Sequence, residues 1–203
     1  MWRFKFLNKA LVEEIFGEAT VAADANIVLT VGMPPMYDAM VRHFNDTYHI
    51  VFDLINMVNY ITQGIDAAEL ACGFLSHELI HIMIYEKYPE TDMNYAEYYD
   101  YIAFHEGFAH LLSYAENIHA YEPIDSYKQC FNDSKARLAA AINETDPKTQ
   151  EQLMFKANTG KYWEKFAAVA GKLYLMKHID KLKEIYEQGW MGFVKKITDY
   201  NWE

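Results

Sequence analysis

Cysteine is almost missing from this chain of 203 residues, which holds only Cys72 and Cys130. Two thiols cannot form the disulfide framework of a small secreted fold, and their spacing is not that of a zinc pair. Both are expected to behave as small buried apolar residues in a reducing compartment. Positive charge is also scarce: 18 Lys and Arg stand against 29 Asp and Glu, for a net charge of −11. Phosphate binding needs clustered Lys and Arg, and no basic stripe is present, so nucleic acid is excluded as a partner. Apolar runs break at Asp53, Asn56 and Asn59 and again at His77 and Glu78, so no membrane span is expected. The opening residues, Met1 to Lys9, carry early positive charge but no apolar core ending in small residues. No signal peptide is read there, and a cytoplasmic location is expected. Repeats, low-complexity tracts and interdomain linkers are absent too, and a chain of this length is expected to bury one core.

What the chain does have is apolar and aromatic bulk, 52% hydrophobic and 16% aromatic, which excludes disorder. Within it, Phe74-Leu75-Ser76-His77-Glu78-Leu79-Ile80-His81-Ile82 contains H-E-x-x-H. On a helix, residues four apart share a face one turn from each other, so His77 and His81 can grip one zinc ion. Glu78 then sits beside the open coordination position. Leu75, Leu79, Ile80, Ile82, Met83 and Ile84 mark a buried helix. Burying Glu and His among them is costly unless a metal or hydrogen bonds compensate.

Read in order, Leu7 to Glu18 has a helical period closed by Gly17. Residues 26–31 form a β-branched strand that ends at Gly32 and Pro34-Pro35, and residues 49–55 form a second strand. Tyr37 to Phe44 reads as a short helix or an irregular crossing. Two strands just before the metal-binding helix predict a small sheet packed on it. Its edge either pairs with an extended peptide or serves only as scaffold. Asp66 caps a helix that runs to about Lys87 and stops at Pro89. Helices follow from about Tyr95 to His119, from Asp125 or Ser126 to Ala141, and from Pro147 to a break at Asn158-Thr159-Gly160. Tyr162 to His178 is strongly helical, and two shorter helices split by Gly189 complete the chain.

A zinc held by H-E-x-x-H needs a third protein ligand. The metzincin pattern requires Gly at position 84 and His at 87, where this chain has Ile84 and Lys87, so that class is excluded. The best source is Ala103-Phe104-His105-Glu106-Gly107-Phe108-Ala109-His110, because Glu106 follows His81 by 25 residues. That separation allows a turn and a second helix returning antiparallel. Gly107 would let this helix approach the first one closely. His110 shares the face of Glu106, whereas His105 points about 100° away. His110 is therefore expected to back the site as a partner of a ligand, and His105 is the alternative ligand.

These motifs resemble the gluzincins, zinc metallopeptidases whose ligands are the two histidines of H-E-x-x-H and a downstream glutamate. The resemblance implies His77, His81 and Glu106 as zinc ligands and Glu78 as general base. It implies an α+β, mostly helical, zincin-like fold, with a small N-terminal sheet packed on the H-E-x-x-H helix and a helical C-terminal part. A single domain over residues 1–203 is expected, with the sheet and metal-binding helices in 1–120 and a helical subdomain in 121–203. The substrate it implies is a peptide or protein. Tyr162 is the candidate donor to a developing oxyanion, mainly on the resemblance, with His178 as the other candidate. In thermolysin-like gluzincins an Asp stands four residues after the glutamate; here that position is His110. Two other readings remain. One is a zincin-like module that binds peptides without hydrolysing them, disfavoured by the presence of Glu78. The other is a di-iron carboxylate protein using Glu78-x-x-His81 and Glu116-x-x-His119, which the strand segments fit badly.

Overall fold

The computed structural model describes residues 4, 6–17, 25–34, 36–113 and 125–202. Among them the chain is mostly helical with one small three-stranded sheet, the α+β class expected. It divides into two compact units, Met1–Lys87 with Leu112–Ile118, and Tyr88–Leu111 with His119–Glu203.

In the first unit, helix α1 spans Lys9–Phe16 and is followed by strands β1 (Ala25–Thr30), β2 (Ala39–Phe44) and β3 (Thr47–Asp53). The sheet order is β1-β3-β2, with β1 parallel and β2 antiparallel to β3. β2 is neither of the forms expected for residues 37–44. It pairs with β3 through a two-residue loop, Asn45-Asp46, whose φ angles of 50° and 55° are the left-handed values such a hairpin demands. Asn and Asp tolerate that region better than other non-glycine residues.

The second predicted strand also ends earlier, because Asp53 starts helix α2 (Leu54–Thr62). Its carboxylate accepts from the backbone N–H of Ile55 at 2.7 Å, Asn56 at 3.2 Å and Met33 at 2.5 Å. Burial pulls the Asp53 pKa upward, but these backbone donors outweigh it and hold the carboxyl below its ordinary value. One acid thus ends the strand, caps the helix and pins the turn after β1.

Helix α3 spans Ala67–Lys87, capped by Asp66, whose Oδ1 accepts from Ala68 and Glu69 N–H. The sheet packs on it as expected: Phe52 of β3 stacks on Phe74 of α3 with centroids 6.5 Å apart, and Tyr60 of α2 meets the same ring edge-on at 6.0 Å. By length and composition α3 could cross a membrane, with a mean hydropathy of 1.3 despite the breaks at His77 and Glu78. Half of that stretch is buried in the protein, with Ile80, Ile82 and Ile84 fully so, as in a core helix. Cys72 on α3 is half-buried rather than buried, as is Cys130 in the second unit, and both are free thiols.

The second unit contains α4 (Tyr95–Leu112, apart from its last residue), α5 (Asp125–Ala141), α6 (Pro147–Asn158), α7 (Phe166–Lys177), α8 (Leu182–Gln188) and α9 (Phe193–Asp199). α4 starts on a reciprocal cap: Asn94 Oδ1 accepts from Ala96 and Glu97 N–H, while Glu97 accepts from Asn94 N–H. The expected continuation of this helix to His119 falls beyond Ser113 outside the described residues. Tyr162 does not begin a continuous helix. It opens a short 3-10 turn, Tyr162–Glu164, in which the Glu164 side chain accepts from Lys161 N–H, and the α-helix starts only at Phe166.

α7 is buried from Phe166 through Met176 and forms the centre of this unit. It crosses α4 at Gly107 and Gly171. A Cβ built on Gly171 would lie 1.9 Å from the Ala103 carbonyl oxygen, and one on Gly107 would lie 2.9 Å from the Gly171 carbonyl carbon. Gly107 therefore serves a close helix crossing with α7. Such contact excludes any side chain at both positions, and the loss of helix propensity, about 1 kcal/mol per glycine, is offset by that packing. Asp100 ties α4 to the start of α9 by accepting from Gly192 and Val194 N–H.

Candidate metal centre

The histidine half of the site follows from one turn of α3. His77 and His81, four residues apart, direct their Nε2 atoms at each other across 3.1 Å, with the rings nearly perpendicular at 81°. The His81 ring is buried and stacks against Tyr85, one further turn along, at 6.0 Å. Ser113 Oγ lies 3.4 Å from His77 Nδ1, on the opposite side of the ring from the Nε2 that faces His81. Sequence reading did not single out Ser113, and a lone serine after a helix carries no signal for this contact. Glu78, the next residue on the same helix, is 5% exposed.

The carboxylate half is built on α4 and its neighbours. Glu106 Oε1 accepts from Asn158 Nδ2 at 2.6 Å, and His110 Nε2 stands 3.4 Å from Glu106 Oε2. His110 is thus beside Glu106 on one helical face, where the spacing puts it. Asn158 was read only as a helix break, and nothing local relates it to a residue 52 positions earlier. The His110 ring meets the Tyr162 ring edge-on, with centroids 5.3 Å apart, and Tyr162 Oη accepts from Lys172 Nζ at 2.6 Å. Glu106, His110, Tyr162 and Lys172 therefore form a continuous series of contacts.

One ligand atom from each of His77, His81 and Glu106 lies within 4.8 Å of the others, so this group could hold a metal ion. The alternative ligand His105 is not part of the group. Its ring is buried against Tyr101 at 3.9 Å and Phe104 at 6.1 Å. His178, the second oxyanion candidate, donates from Nδ1 to the Tyr174 carbonyl and packs between the Tyr174 and Tyr200 rings. Glu116 and His119, on which the di-iron reading depends, lie outside the described residues. No known protein family, curated protein or solved structure matches this chain.

Proposed function

We propose that the protein is a zinc-dependent hydrolase of the gluzincin kind that cleaves peptide bonds. The observation that carries this reading is the convergence of His77, His81 and Glu106 with Glu78 next to a ligand on the same helix. The donor set fits zinc. Two nitrogens on one tetrahedral zinc at about 2.0–2.1 Å each stand about 3.3 Å apart, close to the 3.1 Å between the two Nε2 atoms. His77, His81 and Glu106 would hold a zinc ion by two imidazoles and one carboxylate, a ligand set that would suit catalytic rather than structural zinc.

Zinc at such a site supplies Lewis acidity, which polarises a substrate carbonyl and brings the pKa of water to about 7. The remaining work belongs to side chains of the protein. The Glu78 carboxylate takes the proton from the attacking water and returns it to the leaving nitrogen. At 5% exposure its carboxylate is largely shielded from bulk solvent. The Tyr162 hydroxyl donates to the carbonyl oxygen as negative charge grows there. His110 and Asn158 hold the Glu106 carboxylate in one orientation. On this reading the substrate is a peptide or protein segment, and the net charge of −11 disfavours nucleic acid.

The test is Glu78→Gln. The amide keeps the size of the side chain but cannot accept the proton, so this variant should retain zinc and fold while losing hydrolysis of any peptide the parent cleaves. Loss of the metal in Glu78→Gln would make this carboxylate a ligand and contradict the reading.

A further inference from the structure

Lys172 is the outstanding charged residue that this reading leaves unused. It sits on α7 beside Gly171 and is 4% exposed, in a helix otherwise buried through apolar contacts. Burying an ammonium group is expensive unless hydrogen bonds or a partner offset the cost. Its Nζ is 2.6 Å from Tyr162 Oη and 5.0 Å from the centre of the Tyr162 ring, so the contact is aimed at the hydroxyl end of that side chain. The close crossing at Gly107 and Gly171 fixes α7 against α4, and thereby holds Lys172 at a set distance from the helix that bears Glu106 and His110. Tyr162 is gripped from three directions: the His110 ring edge at 5.3 Å, the Trp163 ring at 4.9 Å and Lys172 at its oxygen.

Resting on the reading of Tyr162 as the oxyanion donor, we propose that Lys172 is a positioning residue that holds the Tyr162 hydroxyl by donating a hydrogen bond to its oxygen. An Nζ carries N–H donors in both of its protonation states, so the phenolic oxygen can serve as acceptor from Lys172 throughout. The phenol's own proton is then directed away from the amine. A donor on the oxygen also polarises the O–H bond, because hydrogen bonds in series strengthen one another in a low-dielectric site. The result is a hydroxyl fixed before substrate arrives, which removes a reorganisation step as charge develops on the carbonyl. Burial pushes the Lys172 amine down to about 7, so removing the amine relieves a desolvation cost.

The experiment compares Lys172→Met, Tyr162→Phe and the double variant in the full-length zinc-loaded protein. The first readout does not depend on activity. With tyrosines labelled at 13Cζ, the Tyr162 resonance is identified by its absence from Tyr162→Phe and should move in Lys172→Met. Zinc content should stay the same, and the melting temperature should hold or rise. The second readout is hydrolysis of a mixed peptide library. Lys172→Met should lower kcat about tenfold with KM little changed, and should cost nothing further in the Tyr162→Phe background. Lys172→Gln, a neutral donor of similar reach, should recover part of the loss, and it decides the case if the methionine variant does not fold.

An unmoved Tyr162 resonance, or losses that simply add in the double variant, would overturn the proposal while leaving the metal site as it is. A zinc-loaded parent that cleaves no peptide contradicts the underlying hydrolase reading instead, and the role of Lys172 in catalysis goes with it. The NMR arm separates the two failures.

Discussion

The two helices that carry the candidate ligands come by their geometry in different ways. On α3 the histidine pair is a local construction: four residues of spacing and one helical turn bring two Nε2 atoms to 3.1 Å. On α4 the glutamate is a tertiary construction. His110 reaches it from one turn away, but Asn158 arrives from the end of α6, and the helix itself is fixed by contact with α7 at Gly171. The histidines should therefore survive disturbances of the C-terminal helices that displace the carboxylate. A site assembled in this way is as precise as its most distant support.

The largest effect should come from the local half. His77→Ala or His81→Ala removes one of the two proposed nitrogen ligands. Metal affinity should fall by more than about 100-fold, beyond the range seen for outer partners, as read by competition against a chelator. The apo protein should unfold nearly as before. Next is Gly171→Ala, whose Cβ would meet the Ala103 carbonyl oxygen at 1.9 Å. Backbone cannot yield as a side chain does, so denaturant unfolding should show a loss of about 3 kcal/mol or more. Gly107→Ala, at 2.9 Å from its nearest neighbour, should cost less.

Smaller effects sharpen the contrast between the two halves. Asn158→Ala and His110→Ala each remove one support of Glu106 and should weaken metal binding by about 10–100-fold. Together they should approach the loss in Glu106→Ala. Ser113→Ala should do least, no more than about tenfold, because its contact with His77 is long at 3.4 Å and the helix already orients the ring. Calorimetric titration of zinc into the apo variants ranks all of these. If Ser113→Ala proved as damaging as Asn158→Ala, the histidine half would not be the self-sufficient one.

The same division explains what the sequence made legible. The H-E-x-x-H pair, the Asp66 cap, the Pro147 start and the helix closed by Gly17 are all settled within a few residues, and each could be read from the chain. Some local signals were present but not used. Asn45-Asp46 between two runs of strand formers is a hairpin loop. Asp53 ahead of Leu54, Ile55, Val58 and Ile61 is a helix cap with a helical period, which marks α2. Other features had no local signal. Asn158 on Glu106, Ser113 on His77 and Gly107 against Gly171 join residues far apart in sequence, and neither period nor propensity encodes them. His105 and His110 show how far periodicity reaches: it placed one beside Glu106 and the other away from it, but not the aromatic stack in which His105 lies.

The central claim is a zinc site made by His77, His81 and Glu106 together. Elemental analysis of protein purified without added metal, run beside the Glu106→Ala variant, tests it most directly. The parent should hold one zinc per chain, and Glu106→Ala should lose most of it on dialysis while staying folded. A parent that binds no metal, or a Glu106→Ala variant with unchanged stoichiometry and affinity, would contradict it.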